Sequence, residues 1–183
     1  MNLKNNTEVF LSYCSKNDKI ANSICGYFMK NRHLKLHRDI IDIKPWESIS
    51  MYMQSIRYAD YIIILISDEY LKSRNCMYEA LTVMQDSDYA NKIFPVVINM
   101  KIYKPINRVG YIKYWEKEYH ELENAVAEVS IQNIGRLDKE LKLLQEISSN
   151  IEEFLEVISD MNNPQISDVA YRIEEVLLTN GII

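Results

Sequence analysis

The feature that most constrains the fold is a seven-residue run, YIIILIS, at positions 61–67. A strand with one solvated face alternates apolar and polar side chains, but the first six residues here are all apolar or aromatic. Such continuity is typical of a strand in a parallel sheet whose two faces are both covered by helices. The run is far too short to span a bilayer, which takes about 20 helical residues. It therefore predicts a buried central strand of an α/β sheet.

Three further segments have the composition of strands: TEVFLSY at 7–13, LKLHRDI at 34–40 and KIFPVVIN at 92–99. Pro95 indicates that the last of them lies at a sheet edge or contains a bulge, because proline has no N–H to donate. Helical patterns separate the four segments. Strands that alternate with helices in this way predict βαβ units and a mainly parallel sheet.

The helices are predicted from apolar spacing and cap residues. Within the first hundred residues, one helix is predicted to follow Ser15–Asp18 and a second to run from Ser48 to Arg57. A third is predicted from about Arg74 to Met84 or a little beyond, with 68–73 as the connection before it. Beyond residue 100 the chain is helical and charged. The segments there are 109–129, a long amphipathic stripe at 137–158, and 167–178 after the Asn162-Asn163-Pro164 break.

Composition excludes several classes of protein. The chain has 183 residues, enough for one domain, and a net charge of −5 with no basic block, which argues against a nucleic-acid groove. The N-terminus lacks the apolar stretch of a secretion signal, so we expect a cytoplasmic protein with reduced cysteines and no membrane segment. We expect no metal site, because His33 and His37 lie in a loop and a strand without a matching third ligand.

Polar loops follow the first three strands, at 12–18, 39–48 and 67–75. In doubly wound sheets, ligands bind at the carboxyl ends of the strands, and exposed helix starts there suit a pyrophosphate. Neither GxGxxG nor GxxxxGK[ST] is present, so any nucleotide must be held by other loops. A receiver domain phosphorylated on aspartate is excluded, because the first strand ends in Ser12-Tyr13 where an acidic pair is needed.

Glu79 lies at the margin of an apolar helix stripe that includes Met77, Ala80 and Leu81. Helix surfaces are rich in glutamate, so periodicity alone favours a solvated surface role for this residue. A partly desolvated carboxylate that faces a cleft is the functional alternative.

Four segments in sequence order resemble the Toll/interleukin-1 receptor (TIR) domain: FLSYCSKND, RDIIDIKPWESI, ADYIIILISDEYLKSRNCMYE and IFPVVI. TIR domains have a first strand that ends in F-[I/L]-S-Y and a variable "BB" loop after the second strand. Their apolar third strand ends in Ser and is followed by S-x-W-C-x-x-E at a helix start. The resemblance covers about residues 7–100.

The resemblance implies a flavodoxin-like parallel sheet of four to five strands with helices on both faces. The whole chain, 1–183, is identified as a single TIR domain. Its core is about 7–100, and a helical extension at about 108–160 and a final helix at about 167–179 are similar to those of stand-alone bacterial members.

Many TIR domains cleave NAD⁺ at the nicotinamide–ribose bond, and the catalytic glutamate ends the S-x-W-C-x-x-E motif, which here is Glu79. The resemblance therefore implies an NAD⁺ nucleosidase of bacterial anti-phage defence. It would release nicotinamide and form ADP-ribose, or a cyclic or conjugated ADP-ribose signal read by a downstream effector. NAD⁺ is the substrate, and no cofactor is implied. The alternative is a non-catalytic adaptor that self-associates through surfaces including the BB loop.

The resemblance also implies a set of NAD⁺-binding residues: Phe10, Ser12, Tyr13, Cys14, Ser15, Asp39, Pro45, Trp46, Asn75 and Cys76. The side chain of Tyr13 could point away from the site. Trp46 could stack on the ligand or anchor the BB loop in a neighbouring molecule. Cys76 is expected to pack rather than to act as a nucleophile. Asn75 departs from the motif, which usually has Trp at that position.

Overall fold

The computed structural model describes residues 7–29, 34–38, 45–48 and 55–182. Its sheet has four strands in the order β2-β1-β3-β4, and every pair is parallel. The strands are β1 Thr7–Ser12, β2 Leu34–His37, β3 Tyr61–Ile66 and β4 Ile93–Val97. All four predicted strands are confirmed, and the most apolar one, β3, lies inside the sheet.

Seven α-helices lie within the described residues. They are α1 Asp18–Phe28, α2 Asp68–Leu71, α3 Arg74–Met84, α4 Tyr89–Lys92, α5 Pro105–Ala127, α6 Leu137–Asp160 and α7 Val169–Thr179. The connection predicted after β3 is wrong in part, since it contains α2. The helix predicted at 48–57 falls largely outside the described residues, and its described end, Ser55–Tyr58, is a 3₁₀ turn.

The strands alternate their side chains between two apolar cores. On one face, Phe10 of β1 and Ile62 and Ile64 of β3 pack with α3, α5 and α6. On the other face, Leu11 of β1 and Ile63 of β3 pack with α1 and α7. Helices on both faces of a parallel sheet confirm the predicted architecture and explain why β3 has no polar position.

Helices α5 and α6 pack against each other, and α6 also packs on α3. The amphipathic stripe predicted in α6 is buried from Leu144 to Ile158. Trp115 of α5 is only 2% exposed, and its indole N–H donates to the carbonyl of Leu71 over 2.9 Å. The two helices are thus attached to the α/β core.

Across the described residues, none of the helices has both the length and the apolar character required to cross a bilayer.

Strand β4 is an edge strand, as Pro95 predicted. The N–H of Ile98 donates to the carbonyl of Ile66 on β3 over 2.9 Å. Because successive N–H groups of a strand point to opposite sides, the nitrogen of Pro95 faces away from β3, toward the outer edge. The proline therefore costs the sheet no hydrogen bond.

Candidate functional site

The described parts of the three polar loops meet at the carboxyl edge of the sheet, as predicted. The hydroxyl of Ser67, after β3, donates to Oδ1 of Asn17, after β1, over 2.8 Å. Arg38, after β2, donates to Oδ1 of Asp18 over 3.3 Å. Side-chain hydrogen bonds therefore connect the ends of β1, β2 and β3.

Glu79 lies on the buried side of α3 and faces the end of β1. It is 5% exposed, and the Ser12 hydroxyl donates to its Oε2 over 2.5 Å. Ser12 is itself 2% exposed. The solvated surface role that periodicity favours is therefore wrong. A carboxylate fixed at this edge of the sheet can stabilise positive charge that develops on a bound ligand.

Tyr70 of α2 completes a cluster around the Ser12 hydroxyl. Its phenol oxygen lies 2.7 Å from Ser12 Oγ, and the side chain is fully buried. Burial, and next the negative charge of Glu79, raise the pKa of Tyr70 well above its usual range, so the phenol keeps its proton. Sequence reasoning missed Tyr70, although Ser67 followed by Asp68 and Glu69 is a helix-start signal.

Other predicted site residues surround this end of the sheet. Phe10 is buried on the same face as Glu79, and Cys14 is half-buried. Ser15 and Asn75 are exposed. Cys76 is buried, and its thiol lies 3.7 Å from the carbonyl of Tyr13, so α3 begins directly against the end of β1. Asp39 lies outside the described residues.

Tyr13 belongs to the opposite face of the sheet from Glu79. Its hydroxyl accepts a hydrogen bond from Arg38, whose guanidinium carbon lies 4.7 Å from the centre of the Tyr13 ring. Arg38 is 4% exposed and also donates to Oδ1 of Asn22 over 2.6 Å. The pair joins the ends of β1 and β2 to α1, a structural contact that no sequence motif indicated.

Trp46 has an unusual backbone conformation. Its φ is +69°, in the left-handed region that favours glycine, and its side chain is fully exposed. A tryptophan therefore occupies a position whose backbone suits glycine. Pro45 is also exposed.

Two concave regions lie away from Glu79. A cavity of about 320 Å³ lies at the amino end of β3, lined in part by Arg57, Tyr89 and Lys92. A groove of about 770 Å³ runs between Pro95 of β4 and α7. None of the predicted NAD⁺-binding residues that the structure describes lines either of these regions. Among residues 7–29, 34–38, 45–48 and 55–182, no group of three His, Cys, Asp or Glu side chains could hold a metal ion.

Comparison with models of known protein families identifies the family of this chain. Residues 9–129, from β1 through α5, match the family described as the TIR domain. The chain belongs to the TIR domain family. The TIR domains of the activated Roq1 resistosome, which directly recognises the pathogen effector XopQ, have a similar fold. The TM-score is 0.60 at 15% identity, over 93% of this chain and 99% of that one. No protein of curated function matches this TIR domain.

The buried tyrosines of this TIR domain predict a loss of stability at alkaline pH. Burial, and next the hydrogen bond to Asp68, raise the pKa of Tyr111, and the pKa of Tyr70 is raised as described above. In the unfolded chain both phenols ionise near pH ~10. Their contribution is therefore complete below that pH and is lost as pH rises toward the folded-state values, because the folded state then binds more protons.

We expect the free energy of unfolding to fall by about 1 kcal/mol per pH unit for each buried phenol above pH ~10. Urea titrations at several pH values measure this slope. Tyr111→Phe should flatten it, whereas Tyr58→Phe, at a tyrosine that is 84% exposed, should not. Equal slopes in the wild type and Tyr111→Phe would contradict the prediction.

Proposed function

We propose that this TIR domain cleaves NAD⁺ at the nicotinamide–ribose bond, with Glu79 as the catalytic carboxylate. The observation that carries the proposal is the placement of Glu79. It is 5% exposed, accepts a hydrogen bond from Ser12, and lies at the sheet edge where doubly wound folds bind ligands. A carboxylate in so sheltered a position interacts with charge more strongly than it would in water.

The chemistry suits this carboxylate. When nicotinamide leaves, the ribose acquires oxocarbenium character, and a nearby negative charge stabilises that transition state. Nicotinamide leaves as a neutral molecule, so no strong general acid is needed. Water then yields ADP-ribose, and an internal adenine or hydroxyl nucleophile yields a cyclic product.

The start of α3 suits the pyrophosphate of NAD⁺ better than the start of α1. The first turn of α3 has no acidic residue, whereas that of α1 contains Asp18. Partial positive charge at a helix N-terminus favours anions. Asn75 is exposed in this turn, where the motif usually has Trp, so we propose that it contacts the nucleotide by hydrogen bonds rather than by stacking.

Self-association is the second part of the proposal. The Roq1 TIR domains were solved in an activated resistosome, and the fully exposed Trp46 presents a large aromatic surface on the BB loop. The same exposed tryptophan also favours the second candidate function, a non-catalytic adaptor that acts by assembly. By family resemblance, we propose a role in anti-phage defence in the bacterial cytoplasm, with the product read by a downstream effector.

The test incubates purified protein with NAD⁺ and resolves nicotinamide, ADP-ribose and cyclic products by chromatography. Protein concentration is varied widely, because a site completed by assembly would be inactive when dilute. Concentration-dependent release of nicotinamide supports the proposal. A protein that assembles by light scattering yet releases none at any concentration favours the adaptor.

A further inference from the structure

The Ser12 hydroxyl joins two buried side chains from different helices. Ser12 Oγ lies 2.5 Å from Oε2 of Glu79 on α3 and 2.7 Å from the phenol oxygen of Tyr70 on α2. All three side chains are at most 5% exposed. Within the described residues, the phenol oxygen of Tyr70 has no other hydrogen-bond partner. Its hydroxyl therefore reaches Glu79 only through Ser12.

The number of protons fixes the direction of these hydrogen bonds. The hydroxyl of Ser12 donates its single proton to Oε2 of Glu79. Tyr70 must then donate its proton to Ser12. The result is a directed chain, Tyr70 to Ser12 to Glu79, in which each hydroxyl strengthens the next bond by polarisation.

Tyr70 is held firmly because α2 is fixed at both ends. At its start, the Ser67 hydroxyl accepts from the N–H of Tyr70 over 3.0 Å and donates to Asn17. At its end, the carbonyl of Leu71 accepts from the indole of Trp115. A side chain on so constrained a turn can hold its partner in one geometry.

We propose that Tyr70 is a positioning residue for Glu79 and acts through Ser12 to hold the carboxylate oriented toward the ribose. This inference rests on the proposed NAD⁺ cleavage. It assigns Ser12 to the support of the carboxylate, rather than to direct contact with the nucleotide. It also gives a role to a tyrosine that would otherwise serve only as packing.

The test compares Tyr70→Phe, Ser12→Ala and the double variant in NAD⁺ cleavage. We expect Tyr70→Phe to lower kcat by roughly 10-fold and Ser12→Ala by roughly 10- to 100-fold, with KM changed by less than about twofold. Because Tyr70 acts through Ser12, the double variant should be no slower than Ser12→Ala alone. Tyr89→Phe is the matched control, since it removes the hydroxyl of another tyrosine that is partly buried against the same core but lies away from α2, and it should leave kcat unchanged.

A second measurement needs no catalytic activity. The urea midpoint of unfolding is compared for Tyr70→Phe in the wild-type and Ser12→Ala backgrounds. The shift caused by Tyr70→Phe should shrink at least about twofold when Ser12 is absent. Multiplicative kcat losses, or equal midpoint shifts in both backgrounds, would overturn the inference. If the wild type cleaves no NAD⁺ but the midpoint coupling is present, the proposed function fails while the hydrogen-bonded chain stands.

Discussion

We expect the Glu79→Gln variant to lose at least ~100-fold of its NAD⁺ cleavage rate. Glutamine has nearly the size of glutamate, and its amide oxygen can still accept the hydrogen bond from Ser12. The substitution therefore removes mainly the negative charge that faces the developing positive charge on ribose. The loss should appear in kcat rather than in KM, because that interaction strengthens only in the transition state.

Chromatographic assay of nicotinamide release measures this loss across the same range of protein concentrations as for the wild type. Glu116→Gln is the matched control, because it makes the same change of charge at an exposed position of α5. Circular dichroism checks that both variants fold. Turnover by Glu79→Gln within twofold of the control would rule out the catalytic role of this carboxylate.

We expect the Trp115→Ala variant to lose about 3–5 kcal/mol of unfolding free energy. The indole is 2% exposed, and its N–H is bonded to the Leu71 carbonyl. Removing it opens a large cavity between α5 and the core and leaves that carbonyl without its partner. Because α2 is fixed partly through Leu71, the variant should also lose protection from hydrogen exchange at α2.

Urea unfolding followed by circular dichroism measures the loss. The chain has two tryptophans, and the other one supplies the control: Trp46→Ala removes a fully exposed indole and should change stability by less than about 0.5 kcal/mol. Because Trp115 is the tryptophan that remains in the Trp46→Ala variant, the tryptophan fluorescence of this variant reports on Trp115 alone. Equal stability of the two variants would show that α5 contributes little to the folded core.

The sequence predicted the regular parts of this fold well, where local patterns and tertiary packing agree. The continuous apolar run identified β3, and the helix observed from Arg74 to Met84 was predicted close to these bounds. Its start is marked by Ser73, which caps the helix by accepting from Cys76 N–H. Helix α2 was missed, because four residues are too few to show a helical period.

The chemistry of the site was less accessible from the sequence. Periodicity placed Glu79 at the margin of the buried stripe, but its burial arises from β1, 67 residues away in sequence. The contacts of Tyr70 with Ser12 and of Arg38 with Tyr13 are likewise long-range. The spacing of apolar residues within one helix does not indicate which strand end that helix will contact in the fold.

The position of Tyr13 shows how a simple rule would have sharpened the prediction. Side chains alternate along a strand, and Tyr13 has the same parity as Val9 and Leu11, which pack against α1 and α7. Phe10 and Ser12 have the other parity and face Glu79. When a motif is transferred as a continuous stretch, all of its residues are assigned to one site. The strand, however, directs alternate residues of that stretch to opposite faces of the sheet.

Pro95 has a consequence for the behaviour of the protein in a crowded solution. An exposed strand edge offers a row of N–H and C=O groups on which a strand of another molecule can pair, and such pairing leads to aggregation. At β4, the donor that would face outward at the middle of the strand is replaced by the ring of Pro95. Pro95 is itself buried. A foreign strand would therefore lack both that donor and open access to the middle of β4, so this edge resists growth into a larger intermolecular sheet.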